Sequence, residues 1–160
     1  MPTVRLGFSP APAHVRTARL VAVAVARRAG VPEDLLDEVR LAVGEACSRA
    51  VALHRLYGLV DLVEVEMTDG ARFVVRVLDR TEPQTRLPNG GALDPLALVN
   101  AGNHGQQPSN DNDDAFPDAA VAAGVGLALL TGLVEDLQVG PLPGAAVGNA
   151  VRMSWRTNAG

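Results

Sequence analysis

Glu45 and Arg49 lie one helical turn apart in the stretch GEACSRAV, residues 44 to 51. A glutamate can serve as a general base when it lies within hydrogen-bond reach of the proton it removes. An arginine four residues further along a helix can reach that glutamate, and such a pair contributes about 0.2 to 0.5 kcal/mol. A cation at this distance lowers the proton affinity of the carboxylate. The spacing therefore predicts a Glu45–Arg49 ion pair in which Glu45 is a poor base.

The surrounding elements follow from the periodicity of the apolar residues. Alternation predicts strands and a spacing of three to four residues predicts helices. Asp69-Gly70 is a strong hairpin signal between two of the strands. The predicted strands are residues 3–8, 59–67, 71–79, 135–139 and 148–156, and the predicted helices are about 12–29, 32–55 and 119–134. This order predicts one α/β sandwich, with a mixed, largely antiparallel sheet and helices on one face.

Bulk properties limit the function further. A chain of 160 residues predicts a single domain, and its net charge of -4 argues against binding to a nucleic-acid backbone. The single cysteine, Cys47, cannot form an internal disulfide, which favours a reducing compartment. The sequence shows neither the pattern of a signal peptide nor an apolar run long enough to span a membrane. We therefore expect a cytoplasmic protein.

The sequence also predicts which of several side chains lie in the core and which lie on the surface. Cys47 lies near the predicted apolar stripe of the second helix, which predicts a small core residue. Trp155 is predicted to anchor the core or an interface. The three histidines share no metal-ligand spacing and are predicted on the surface: His14, His54 and His104. Residues 84–118 are rich in Pro, Gly, Asn and Asp, which predicts a flexible loop.

Three stretches, in this order, resemble the GHKL superfamily of ATP-binding domains, and within it the bacterial anti-sigma-factor serine kinases. DEVRLAVGEACSRAV is similar to the helix that carries the family's general base, at Glu45. VVRVLDRTEP is similar to the strand whose Asp, here Asp79, reads the adenine amino group. GVGLALLTGLVEDLQV is similar to the motif that closes the ATP lid, which implies Gly124, Gly126 and Leu127 as nucleotide-binding residues. The loop at 84–118 would then correspond to the lid.

Two departures from the family pattern affect the expected cofactor. Arg49 occupies the position of the family's magnesium-binding Asn, and a guanidinium has no lone pair for a metal. Thr81 and Pro83 occupy the positions of two glycines that let the backbone approach the adenine. Gly124 and Gly126 could still offer backbone amides to a phosphate. We therefore expect weak ATP binding without magnesium, and Glu45 as a vestigial base.

The resemblance implies three readings of the function. The first is a regulatory module, often a homodimer, that sequesters a sigma factor and is released by an anti-anti-sigma protein of the STAS fold. The second is an active serine/threonine protein kinase that phosphorylates such a STAS protein with Glu45 as base. The third is a sensor or output domain that retains the fold for another interaction. The departures at Arg49, Thr81 and Pro83 favour the first.

Overall fold

The computed structural model describes residues 1–81 and 130–158. Pro83, Gly124, Gly126, Leu127, the loop at 84–118 and most of the third predicted helix lie outside the described residues. Residues 130–133 are helical and agree with the end of that helix. The elements are β1 (Thr3–Phe8), α1 (Pro12–Arg28), α2 (Glu33–Leu56), β2 (Val63–Thr68), β3 (Arg72–Asp79), β4 (Asp136–Pro141) and β5 (Asn149–Arg156).

The two helices begin and end at the residues that helix chemistry favours. Pro12 lies at the start of α1, where its missing N–H costs nothing. Gly30 follows α1 with φ +86°, a conformation that glycine adopts without strain. Glu33 and Asp34 lie in the first turn of α2, next to the positive end of its dipole. The predicted helix bounds are confirmed to within one residue.

Five strands form one sheet in the order β1-β2-β3-β5-β4. Each neighbouring pair of described strands is antiparallel. The prediction of an α/β sandwich with helices on one face is confirmed, while the expected mixed character is not found among these five strands. β3 is the central strand, so its last residue, Asp79, lies in the interior at one end of the sheet.

The start of β2 corrects the predicted strand at 59–67. β2 begins at Val63, and Leu62 is 51% exposed. Gly58 with φ +63° turns the chain after α2, and the N–H of Leu59 donates to the carbonyl of His54 at 2.8 Å. These contacts hold the chain in a loop up to Val63. The predicted hairpin at Asp69-Gly70 joins β2 to β3.

The core lies between the sheet and the two helices. Alanines at the α1–α2 contact allow the helices to pack closely: Ala18, Ala22, Ala26, Ala42, Ala46 and Ala50. Cys47 is fully buried and Trp155 is 3% exposed, so both core predictions are confirmed. The indole N–H of Trp155 donates to Glu38 Oε1 at 2.8 Å. Within the described residues, no helix is long and apolar enough to cross a membrane.

Candidate functional site

Asp79 is the centre of the candidate site. It ends β3, and only 1% of it is exposed. Its Oδ1 accepts a hydrogen bond from the N–H of Thr81 at 3.0 Å and another from the Thr81 hydroxyl. The side-chain amide of Asn149 donates to the same oxygen at 3.2 Å. Three donors therefore already occupy Oδ1 before any ligand is considered.

Asn149 fastens the start of β5 to the end of β3. Its Nδ2 also lies 3.3 Å from the Thr81 carbonyl and 3.1 Å from Thr81 Oγ1. The preceding Gly148 has φ +127°, and a Cβ there would lie 2.8 Å from the Asp79 carbonyl oxygen. Only glycine fits this approach. Asn149 was missed by the sequence analysis, and the Gly-Asn pair before a strand was its available signal.

Arg49 supplies the charge that Asp79 needs. Its Nη1 lies 3.6 Å from Asp79 Oδ2, and the two side chains are 12% and 2% exposed. Burial lowers the pKa of the Arg49 guanidinium from its ordinary value, and the negative charge of Asp79 opposes that shift. A buried charge without a partner is strongly unfavourable, and this ion pair gives each side chain a counter-charge in the interior.

The predicted Glu45–Arg49 pair is wrong. The described part of the chain contains an Arg49–Asp79 ion pair and none between Arg49 and Glu45. Arg49 precedes the buried Ala50 on α2, and its side chain lies near the end of the sheet. It therefore pairs there with the fully buried Asp79. Glu45 is half-buried and forms no hydrogen bond or ion pair with any other described residue. Its carboxylate is therefore not neutralised by the cation four residues later.

A second cation reaches the same turn of α2 from α1. A Cβ at Gly44 would lie 2.1 Å from Arg19 Nε, so the Arg19 side chain lies against Gly44. Arg19 Nε is buried, and no hydrogen-bond partner is found for it in the described part of the chain. Burial raises the pKa of the Cys47 thiol to about 12, and the charge of Arg19 opposes this. The small residue before Glu45 was the only sequence signal for this contact.

His54 corrects the prediction of a surface histidine. It is fully buried, with Nδ1 3.0 Å from the Asp61 carbonyl oxygen and Nε2 accepting the N–H of Arg80 at 2.9 Å. These partners fit a neutral ring that carries its proton on Nδ1. His54 thereby connects the end of α2 to the residue that follows Asp79. His14 is exposed as predicted, and His104 lies outside the described residues.

These contacts decide how well the site fits a nucleotide and a metal. The position expected to ligate magnesium carries a buried guanidinium, which repels a divalent cation and cannot ligate it. The carboxylate expected to read adenine faces four donor atoms from this chain itself. The backbone N–H and the hydroxyl of Thr81 both donate to Asp79 Oδ1. Neither the adenine end nor the magnesium position of this arrangement fits its ligand.

The fold and these positions agree with a comparison against protein families. Residues 8–155 match the model of the histidine kinase-like ATPase domain. The chain therefore belongs to the family of histidine kinase-like ATPase domains, the GHKL type. A search of the curated proteins finds no significant match.

Proposed function

We propose that this histidine kinase-like ATPase domain acts as an anti-sigma-factor-like regulator that sequesters a transcription factor by binding. Its kinase chemistry is reduced or lost, and its ATP site is degenerate. The partner is a sigma factor, a STAS-domain anti-anti-sigma protein, or each in turn, and the working form is a homodimer. The resemblance of residues 37–51, 74–83 and 124–139 to anti-sigma-factor kinases is the basis for the partner class.

The buried Arg49–Asp79 ion pair is the observation that supports loss of nucleotide chemistry. An adenine amino group would have to share Asp79 with the cation beside Oδ2 or with the donors at Oδ1. A neutral hydrogen bond contributes about 0.5–1.5 kcal/mol, and a bond to a charged group contributes about 1.5–3 kcal/mol. Separating the pair would also leave Arg49 without its counter-charge. Nucleotide binding would therefore weaken contacts that stabilise the folded protein.

One observation favours the kinase alternative. Glu45 has no ion-pair partner among the described residues, so it keeps the free carboxylate that a general base requires. The missing component of that alternative is the metal position, where Arg49 stands. A free base without a place for magnesium does not assemble a phosphoryl-transfer site, because metal ions neutralise the developing charge on the phosphates.

Nucleotide titration by calorimetry, with and without magnesium, tests the proposal. We expect weak ATP binding that magnesium does not strengthen. Arg49→Asn alone should not restore it, because Thr81 still occupies Asp79 Oδ1. The combination Arg49→Asn, Thr81→Gly and Pro83→Gly should give measurable and non-additive recovery, because the three positions would serve one ligand. Arg55→Asn, an exposed change on the same helix, is the matched control.

Low-micromolar, magnesium-dependent binding by the unmodified protein would contradict the proposed loss of nucleotide chemistry. Robust phosphorylation of a STAS protein by the Arg49→Asn variant would support the kinase alternative instead. Sequestration is tested separately, by size-exclusion chromatography of the protein with purified sigma factors and STAS domains in the absence of nucleotide. Complex formation that survives all of the variants would support a regulator that works by binding. Complex formation only with magnesium-ATP would contradict it.

A further inference from the structure

The face of the sheet opposite the helices carries a row of charged side chains. Phe73, Val75 and Val77 of β3 point into the core, so the alternate residues of the strand point away from it. Direct cross-strand partners run across four strand pairs in one line: Arg5↔Glu66, Glu66↔Arg76, Arg76↔Arg152 and Arg152↔Gln138. Two arginines therefore stand side by side in the middle of this face.

A cavity of about 460 Å³ lies over these two arginines. Ala150 and Gly140 are also cross-strand partners, and their small size leaves space for the cavity beside Arg152. Leu78 and the chain that follows β4, at Leu142 and Pro143, add apolar wall. This size falls within the range of small-molecule pockets, about 300–1,000 Å³. The lining therefore combines apolar surface with two guanidinium groups.

The charges of the cavity are only partly balanced. Glu66 also lines it, but Arg5 Nε lies 3.1 Å from Glu66 Oε1. Arg152 Nη1 lies 3.2 Å from Asp136 Oδ2. Arg76 has no ion pair or hydrogen-bond partner in the described part of the chain, although it faces Arg152 directly. Like charges in opposed positions destabilise an antiparallel pair. An anion between them would remove that cost.

We propose that this cavity is a binding site for a small organic anion. The carboxylate or phosphate group is held by Arg76 together with Arg152, since guanidinium groups bind such oxygens in a planar, two-bonded geometry. The apolar part of the ligand contacts Leu78, Ala150 and Leu142. The site lies on the opposite side of the sheet from Arg49 and Glu45. It is therefore separate from the candidate nucleotide site, and the proposal does not rest on the proposed regulatory function.

Titration with phenyl phosphate and with phenylacetate tests the site, and benzyl alcohol is the uncharged comparison. Amide NMR shifts of Gly140 and Ala150 report the position of binding. We expect saturable binding of at least one anion and none of the alcohol. Arg76→Gln should weaken it about tenfold or more, which corresponds to about 1.4 kcal/mol. Gly140→Leu should weaken it equally without changing charge, because the added side chain would fill part of the cavity. The fold should accept this change, since a Cβ at Gly140 meets only open space.

Two further variants separate a binding site from general electrostatics. Glu66→Gln removes the negative charge from the lining and should strengthen anion binding severalfold. Arg55→Gln, which removes an exposed charge on α2, should leave it unchanged. Preference for phenyl phosphate or for phenylacetate identifies the anionic group. No saturable binding of either anion, equal binding of the alcohol, or binding unaffected by Arg76→Gln would overturn the proposal.

Discussion

Arg49 and Arg76 lie on opposite sides of the same sheet and have opposite surroundings. Arg49 is 12% exposed and has the Asp79 carboxylate within 3.6 Å. Arg76 is exposed and faces another arginine across the strand pair. The first cation is balanced by this chain itself. The second one faces Glu66 on its other side, but within the described residues that carboxylate forms its ion pair with Arg5.

The difference shows how a charged position can lose or keep a binding role. A cation with a buried counter-ion is part of the fold, and an incoming ligand must displace that counter-ion. A cation left next to a like charge in a cavity makes the fold less stable and favours an anion from outside. On the helix side, the ion pair therefore supports the proposal that this site has become structural. On the outer side, the facing pair Arg76 and Arg152 supports the proposed anion site.

Asp79→Asn should give the largest loss of stability on the helix side. The substitution keeps the shape of the side chain but leaves the buried Arg49 without a counter-charge, which costs about 3–5 kcal/mol. Urea unfolding measures this cost. Glu66→Gln breaks the Arg5–Glu66 pair, whose side chains are 78% and 25% exposed, and should cost less than about 1 kcal/mol.

The double variant Arg49→Met, Asp79→Asn sharpens this prediction. Removing both charges should recover part of the stability that Asp79→Asn loses, since no unpaired charge remains buried. If Asp79→Asn cost no more than Glu66→Gln, the ion pair would not hold the site closed, and the contrast between the two sides of the sheet would fail.

His54→Ala should cost somewhat less, about 2–3 kcal/mol. It removes a fully buried ring, so the Asp61 carbonyl and the Arg80 N–H each lose their hydrogen bond to it. Each buried polar group left without a partner costs about 1–3 kcal/mol, less where water enters the space. His14→Ala makes the same substitution at an exposed position and should cost under about 0.5 kcal/mol. Equal effects in the two variants would show that the polar cluster around Asp79 does not extend to His54.

Cys47 provides a pH test of how well the helix side excludes water. Its pKa is raised by burial from 9.0 to about 12, so the folded protein keeps the thiol proton at pH values where the unfolded chain loses it. The stabilisation is complete below about pH 9 and falls by about 1.4 kcal/mol per pH unit as the pH rises towards 12.

Urea unfolding at about pH 8 and about pH 10 should therefore show a loss of about 1.4 kcal/mol in the unmodified protein. Cys47→Ala should not show this loss. The sequence contains no lysine, and the Cys47→Ala variant shares every other titrating group with the unmodified protein, so the difference between the two slopes belongs to the thiol. The same pH slope in both proteins would mean that the thiol is not shielded from water.

Among the described residues, the sequence predicted the type and order of the helices and strands, but it misplaced the start of β2 and did not predict which side chains pair. Strands and helices were predicted because alternation and helical spacing are local properties. Arg49 was paired with Glu45 by the same local rule, whereas its partner is Asp79, thirty residues further along the chain. Burial decided between the two acids, and burial at the end of the sheet is a tertiary property. His54 was predictable in part: Cys47, Ala50 and His54 are spaced by three and four residues and form one buried stripe.

Arg76→Gln should have the smallest effect, with a sign opposite to those of the helix-side variants. It removes the like charge that faces Arg152 and breaks no hydrogen bond or ion pair within the described residues. We therefore expect the free energy of unfolding to rise by about 0.2–0.5 kcal/mol, at the low end of cross-strand effects. The gain should shrink in 1 M salt, where the screening length falls to about 3 Å. Urea unfolding at low and high salt measures both effects, with Arg55→Gln as the control.

A stabilised variant that no longer binds the anion would show that Arg76 is retained at the expense of stability, as expected of a functional residue. Destabilisation by Arg76→Gln would instead place this arginine among the structural charges, like Arg49.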